Sequence, residues 1–359
     1  MDEILQEHIK LNAERGMTRK EIQELLLKSG WTAKQVNKYI EKTFKHLETG
    51  VLVRIHGIAK KFAENQVLED VNFDVRAGEI LGLIGMSGSG KTTLLNILVG
   101  FIKPDRGDVL LALNKTNHSV VTDPDTVKKH MGFSTQTPSF HPKLTIRENI
   151  EHFATLYGFT EAQLNKKCNS LLELVGLTYA RDIEASKLSG GMQKRLDIAC
   201  ALIHDPQILI LDEPTADLDP VMRKQLWQLI KEINNKGTTI ILASHFLAEI
   251  ELLCHRIAIL QNKKILELGT AKELRDLYSK NYEIYIQTAT KDYRELIELL
   301  KQNELVVNIK KDDDELVIQT TQPQKLLPIL AKQLANEQIQ TLHITRPTLG
   351  NVFEKAVSL

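Results

Sequence analysis

The sequence predicts an α/β protein built around a buried, largely parallel sheet, and three observations predict it. Short apolar runs ("VNFDV", "EILGLIG", "HMGFSTQ", "QILILDE", "TTIILAS", "RIAIL") recur between amphipathic helical stretches from Val51 to about Tyr278. Gly, Asp or Asn bounds these runs, as expected of strands buried on both faces. The flanks keep other periods, helical before residue 47 and strand–helix–strand–strand–helix–strand after residue 280. Three domains are therefore expected: 1–46 helical, 51–278 α/β with added antiparallel strands near its start, and 281–359 α+β.

The chain has 359 residues, 42% hydrophobic and 26% charged, enough for two or three ordinary cores. Lys+Arg and Asp+Glu are equal at 46 each, so no global positive field is available to hold nucleic acid or an acidic membrane. Cys168, Cys200 and Cys254 form no CxxC pair, which argues against structural zinc, an iron–sulfur cluster or a disulfide scaffold and suits a reducing cytosol. "MDEILQEHIKLNAERG" carries charge from its second residue and lacks the apolar stretch of a secretion signal. No apolar run approaches the ~18 residues of a spanning helix.

Within residues 1–46, "GMTRKEI" and "GWTAKQV" look like two copies of one phrase. In each, a glycine can end one helix, and Thr18 with Glu21, or Thr32 with Gln35, can form the capping box of the next. Ile22 matches Val36 and Leu26 matches Ile40. The module suits either a docking unit or a packing appendage. In residues 281–359 the runs "YEIYIQ", "DYRELIELLKQ", "LVVNIK", "LVIQT", "PQKLLPILAKQLA" and "IQTLHI" give the βαββαβ order of the ferredoxin-like plan, followed by a short terminal helix.

The middle domain holds the chemistry. "GMSGSGKTT", comprising Gly85, Met86, Ser87, Gly88, Ser89, Gly90, Lys91, Thr92 and Thr93, satisfies the phosphate-loop pattern between an apolar strand and a helix. The glycines let successive N–H groups turn inward on a phosphate, and the helix N-terminus adds partial positive charge. Lys91 can reach the β- and γ-phosphates, and Thr92 is placed to bind Mg²⁺. About 120 residues further on, "QILILDEP" ends a strand in Asp212 and Glu213. Two adjacent acids there are costly without a cation, which assigns Asp212 to the metal and Glu213 to the attacking water. His245, ending "ILASH", is a candidate donor to the γ-phosphate, and the strand-end amide of Gln136 could bind Mg²⁺ or the lytic water.

In this order the phosphate loop, Gln136, "LSGGM", "ILILDEP", "ADLDP" and "ASH" resemble the nucleotide-binding domain of ABC ATPases over residues 51 to about 275. Neither a dinucleotide-binding nor a kinase pattern supplies "LSGGM" in this order. The resemblance implies a P-loop NTPase fold with an antiparallel β subdomain and a helical subdomain, the latter from Phe140 to about Leu188 and docking on a membrane subunit. It implies that Ser189, Gly190 and Gly191 face the ATP of an opposing second copy, that Asp217 to Asp219 cross between the sites, and that Phe62 stacks on adenine. "SGGMQKRLDIA" and "ITRPTLGNVFEKAV" are similar to the drug-resistance and polysaccharide-export branch, in which ATPase and membrane subunits are separate chains.

The implied function is an ATP-binding subunit. It would hydrolyse MgATP at two composite sites of a head-to-tail dimer and drive export through an integral membrane permease, from the cytoplasmic face of the membrane and without nucleic acid. The alternative is a soluble ABC-type regulator of a ribosome, nucleic acid or signalling partner. Translation-type relatives usually carry two cassettes and repair-type relatives a long coiled coil, whereas this chain has one phosphate loop and no such insertion. Three positions depart from the family pattern: Asp217 stands where Gly is common, His255 where Asp is frequent, and "QNKKILELG" lacks the usual Asn-Gly turn.

Overall fold

A computed structural model describes residues 19–29, 31, 36, 50–113, 116–278, 281–301, 303–312, 314–335, 338–346 and 350. The chain divides into two compact units, Met1–Thr270 and Ala271–Leu359.

In chain order the first unit contains α1 (Arg19–Lys28), β1 (Val51–Phe62), β2 (Asn65–Arg76), β3 (Ile80–Ile84), α2 (Lys91–Leu98), β4 (Arg106–Leu113) and β5 (Thr116–Ser119). It continues with α3 (Pro124–Lys128), β6 (Met131–Ser134), α4 (Ile146–Leu156), α5 (Glu161–Leu174) and α6 (Gly190–Ala201). β7 (Ile208–Asp212), α7 (Pro220–Asn235), β8 (Thr239–Ala243), α8 (Leu247–Leu253), β9 (Arg256–Gln261) and β10 (Lys264–Gly269) complete it. In α1, Ile22 and Leu26 lie one turn apart and both are buried. The expected caps Thr18, Thr32 and Gln35, and the side chain of Glu21, lie outside the described residues.

Two sheets build the body. One is antiparallel, in the order β2-β1-β4-β5; the other, β10-β9-β3-β8-β7-β6, is parallel except at β10. Every residue of β3, β7 and β8 is buried, as strands covered on both faces must be, whereas Val109, Leu111 and Leu113 of β4 alternate with less buried neighbours. Helix α2 fills the space between the sheets. Its Leu94, Leu95, Ile97 and Leu98 share a core with Leu81 and Leu83 of β3, Ile208 and Ile210 of β7, and Val53, Ile55, Val71 and Val109 of the antiparallel sheet. At ~1.5–3 kcal/mol for each large side chain buried, this core fixes the helix that follows the glycine-rich loop. The β9–β10 turn lacks glycine, yet Asn262 and Lys263 both take the left-handed φ, 48° and 70°, that a two-residue hairpin turn of this hand requires.

The second unit contains α9 (Ala271–Tyr278), β11 (Tyr282–Thr288), α10 (Arg294–Lys301), β12 (Val306–Asp312), β13 (Glu315–Thr320), α11 (Pro323–Gln333) and β14 (Ile339–Thr345). The helix Ala271–Tyr278 thus falls with this unit rather than with the preceding α/β body. Its antiparallel sheet runs β12-β13-β11-β14, the strand order of the ferredoxin-like plan. Leu296, Leu300, Leu326 and Leu330 of the two helices pack on Ile284, Ile286, Leu316 and Ile318. The expected terminal helix lies outside the described residues.

Candidate active site

In the parallel sheet β3, β8, β7 and β6 are consecutive neighbours, so their carboxyl ends share one edge. That edge is where an open α/β sheet presents its ligand site. The glycine-rich loop leaves β3 there, Asp212 ends β7, Ser244 and His245 follow β8, and Gln136 follows β6.

Two glycines of the loop cannot be replaced. A Cβ on Gly85 would lie 2.6 Å from the Leu260 carbonyl oxygen, and Gly90 caps α2 with φ 103°. Lys91, 8% exposed, donates from Nζ to the carbonyl oxygens of Gly85 (2.8 Å) and Met86 (3.2 Å), so the amine is held inside the loop. Burial lowers its pKa, while the charges of Glu213 and Asp212 pull it back up. Ser89 Oγ is buried with no hydrogen-bond partner among the described residues. Thr92 Oγ1 donates to Asp212 Oδ2 at 2.9 Å, while Asp212 Oδ1 is buried and has no partner there. Burial raises the Asp212 pKa, the Thr92 bond opposing it. A half-satisfied buried carboxylate costs free energy unless something completes its coordination.

Glu213 adopts a left-handed φ of 48°, unusual for a non-glycine residue. Its Oε2 accepts from His245 Nδ1 at 2.6 Å and from the His245 N–H at 3.3 Å, which ties the acid after β7 to the imidazole after β8. Beneath this pair lies Glu249 of α8, with no exposed surface. Glu249 Oε2 accepts from Thr215 Oγ1 and Ser244 Oγ, each at 2.8 Å, and Oε1 accepts from Trp227 Nε1 at 2.9 Å. One carboxylate thus anchors the backbone two residues after Glu213 and one residue before His245.

Burial raises the Glu249 pKa above its ordinary 4.5, with the bonds from Ser244, Thr215 and Trp227 opposing the shift. A raised folded pKa means the folded chain binds the proton more tightly, so its stability contribution is full below 4.5 and is lost as pH rises through the folded value. Glu249→Gln is therefore expected to lessen the decline in stability as pH rises from 4.5 toward the folded value. Denaturant titrations of both chains from pH 4 to 8 check this, and an identical decline would assign it to another group.

The other expected residues are more open. β6 ends at Ser134, so Gln136 is not a strand-end residue; it sits two residues further, exposed, in the loop to α4. Phe62 closes β1 with 46% of its surface exposed and Lys60 Nζ 5.3 Å from its ring centre. Ser189 is the N-cap of α6, its Oγ accepting from the Met192 N–H at 3.4 Å, and Gly190 and Gly191 form the first turn. Ser189, Gly190 and Gly191 make no hydrogen bond to residues 85–93 among the described residues. Asp217 has φ 61°, a left-handed state that glycine adopts freely and Asp tolerates, which accounts physically for its standing at a glycine position. Asp219 caps α7 through bonds from the Val221 and Met222 N–H groups. His255 Nδ1 accepts from the Ile80 N–H at 2.9 Å, fastening the entry to β3.

A glycine-rich loop, the buried Asp212 with the partly buried Glu213 beside it, and a histidine on one sheet edge define a nucleoside-triphosphate hydrolase. Comparison with known proteins narrows that class. A family profile described as ABC transporter matches residues 68–216. The linearmycin resistance ATP-binding protein LnrL of Bacillus subtilis is 31% identical over 223 residues, 62% of this chain and 70% of its own length. The doxorubicin resistance ATP-binding protein DrrA of Mycobacterium tuberculosis is 30% identical over 309 residues, 84% of this chain and 92% of its own. Among solved structures, an ATP-binding subunit of an ABC transporter has a TM-score of 0.57 at 30% identity, covering 63% of this chain and 93% of that one. A dimeric ATP-binding cassette in a post-hydrolysis state with ADP and Pi has a TM-score of 0.55 at 28% identity, covering 61% and 98%. The chain belongs to the ABC transporter family, as an ATP-binding, ATP-hydrolysing subunit.

Proposed function

We propose that this chain hydrolyses MgATP in a head-to-tail dimer of two copies and thereby drives export through a separate integral membrane permease. The observation that carries the reading is the Glu213–His245 pair, held at 2.6 Å beside the loop of Lys91 and the buried Asp212. Lys91 leaves the Gly85 and Met86 carbonyls for the β- and γ-phosphates, while the N–H groups of residues 85 to 93 cradle them. Glu213 orients the attacking water and takes its proton. With Nδ1–H directed at Glu213, His245 presents Nε2 outward and, when protonated there, donates to the γ-phosphate. Thr92 and Asp212, joined by Gln136, would hold Mg²⁺; the partnerless Asp212 Oδ1 fits such an ion or its water. When bound, the ion neutralises charge on the β- and γ-oxygens.

Ser189, Gly190 and Gly191 would offer an N–H-lined helix start to the γ-phosphate held by the other copy, with Asp217 between the two sites. Phe62, open on one face, would stack on adenine. Export is supported by relatives named for linearmycin resistance, doxorubicin resistance and Nod factor export. No helix among the described residues is long and apolar enough to cross a membrane, and the subunit would work on the cytoplasmic face against its permease.

Recovery of the tagged chain from gently solubilised membranes is the test: a multi-spanning protein should accompany it, and a ribosomal or nucleic-acid pellet would overturn the transport reading. The division into a 1–46 module, an ATPase domain from residue 51 to Thr270, where the first compact unit ends, and a C-terminal α+β domain is part of the same proposal. Deleting residues 1–46 is expected to leave phosphate release within about twofold of the full chain, since none of the proposed site residues falls in that stretch; complete loss would refute the appendage reading.

A further inference from the structure

Asp197 and Lys194 are two buried charged side chains outside the site described above. Both lie on α6, the helix that starts at Ser189, and Asp197 has no exposed surface while Lys194 is 7% exposed. The helix can come so close to the sheet because of Gly132 on β6, where a Cβ would lie 2.3 Å from the Ala201 carbonyl oxygen. That approach places Asp197 under the loop that carries Gln136. Asp197 Oδ2 accepts from Ser134 Oγ at 2.6 Å, where β6 ends, and Oδ1 accepts from the N–H (2.9 Å) and Oγ (2.8 Å) of Ser139. Between those anchor points Lys194 Nζ donates to the Thr135 carbonyl oxygen at 2.7 Å, and it lies 3.8 Å from Asp197 Oδ2. One carboxylate closes both ends of the 134–139 loop and one amine holds Thr135, the residue before the exposed Gln136.

Apolar packing of similar volume holds a helix to a sheet at least as well as a buried ion pair does. What the charged pair adds is one fixed loop geometry. We propose that Asp197 and Lys194 are positioning residues that set Gln136 from α6, so that the helix presenting Ser189 to the nucleotide of one site also fixes Gln136 in the other. The proposal rests on the ATPase-site reading above and adds to it a rigid route between the two composite sites. Movement of α6 when Ser189 engages a phosphate reaches Gln136 through hydrogen bonds to both flanks of its loop, without passing through the membrane partner.

The test is a double-mutant cycle on the full chain, measuring steady-state phosphate release, ATP affinity and thermal melting for Asp197→Asn, Lys194→Met, Gln136→Ala and the two combinations with Gln136→Ala. Residues acting through a shared partner are non-additive. Asp197→Asn is expected to lower kcat about tenfold with ATP affinity within about twofold, and to cost less than about twofold more once Gln136 is already Ala. If Asp197→Asn fails to fold, Lys194→Met, which removes the contact to Thr135 and leaves the Asp197 bonds to Ser134 and Ser139, carries the same cycle. Equal losses in the two backgrounds, or a kcat unchanged in both clamp variants, overturn the clamp. Absence of phosphate release by the unmodified chain overturns the site reading and the clamp with it, whereas normal turnover with additive losses overturns the clamp alone.

Discussion

Glu213→Gln is expected to slow ATP hydrolysis about a thousandfold while leaving ATP affinity within a few fold. The substitution keeps the size of the side chain and an oxygen that can still accept from the His245 N–H groups, which now lie 2.6 and 3.3 Å from Glu213 Oε2. It removes the charge and the basic site. The atoms proposed to bind phosphate, the loop N–H groups and Lys91, follow β3, which β8 separates from β7, and are untouched, so binding and chemistry should separate. Nucleotide contacts that exist only in the closed dimer pull the two copies together, and a chain that cannot hydrolyse ATP should stay closed. Size-exclusion with MgATP should therefore show a persistent dimer for this variant. A persistent monomer would count heavily against the sandwich, and unchanged turnover would remove Glu213 from the role of base.

The separation also bears on what the sequence could reveal. The positions proposed to touch nucleotide are legible because their chemistry demands rare combinations: three glycines ahead of a Lys-Thr, or two acids at the end of an apolar strand. The sheet was legible for a related reason, since β3, β7 and β8 are buried on both faces and show as uninterrupted apolar runs. Glu249, Asp197 and Lys194 escaped notice because their partners are single hydroxyls, an indole and a carbonyl scattered over other elements. The local sign at two of them is a charged residue where helical spacing asks for an apolar one: Asp197 lies one turn before buried Cys200 and Ala201, and Glu249 one turn before buried Leu253. Gln136 lies two residues beyond the end of β6 rather than at it, because the apolar pattern of "MGFS" gives no sign of where pairing stops. The pairing with β7 ends at Ser134.

Lys91→Ala is expected to lower ATP affinity roughly 30- to 1000-fold, in line with loss of one partner from a buried, hydrogen-bonded charge pair. The amine is the one cation whose burial is balanced inside the loop, by two carbonyls and by the charges of Asp212 and Glu213. Its removal leaves the incoming phosphates without their nearest countercharge and leaves the two acids facing them uncompensated. Equilibrium binding of ATP should show the loss directly, and normal hydrolysis by this variant would make the phosphate-site assignment wrong. The same variant decides whether the sites are shared. A Ser189→Arg chain keeps its own Lys91 loop but blocks the partner's site, while the Lys91→Ala chain keeps a working Ser189. Neither is active alone, yet in a mixed dimer one site has both parts intact. Random pairing of equal amounts makes half the dimers mixed, each with half its sites whole, so mixing should restore about a quarter of the unmodified activity. Activity no greater than the sum of the two parents would mean that each chain completes its own site, and that the turn at Ser189 serves only to cap its helix.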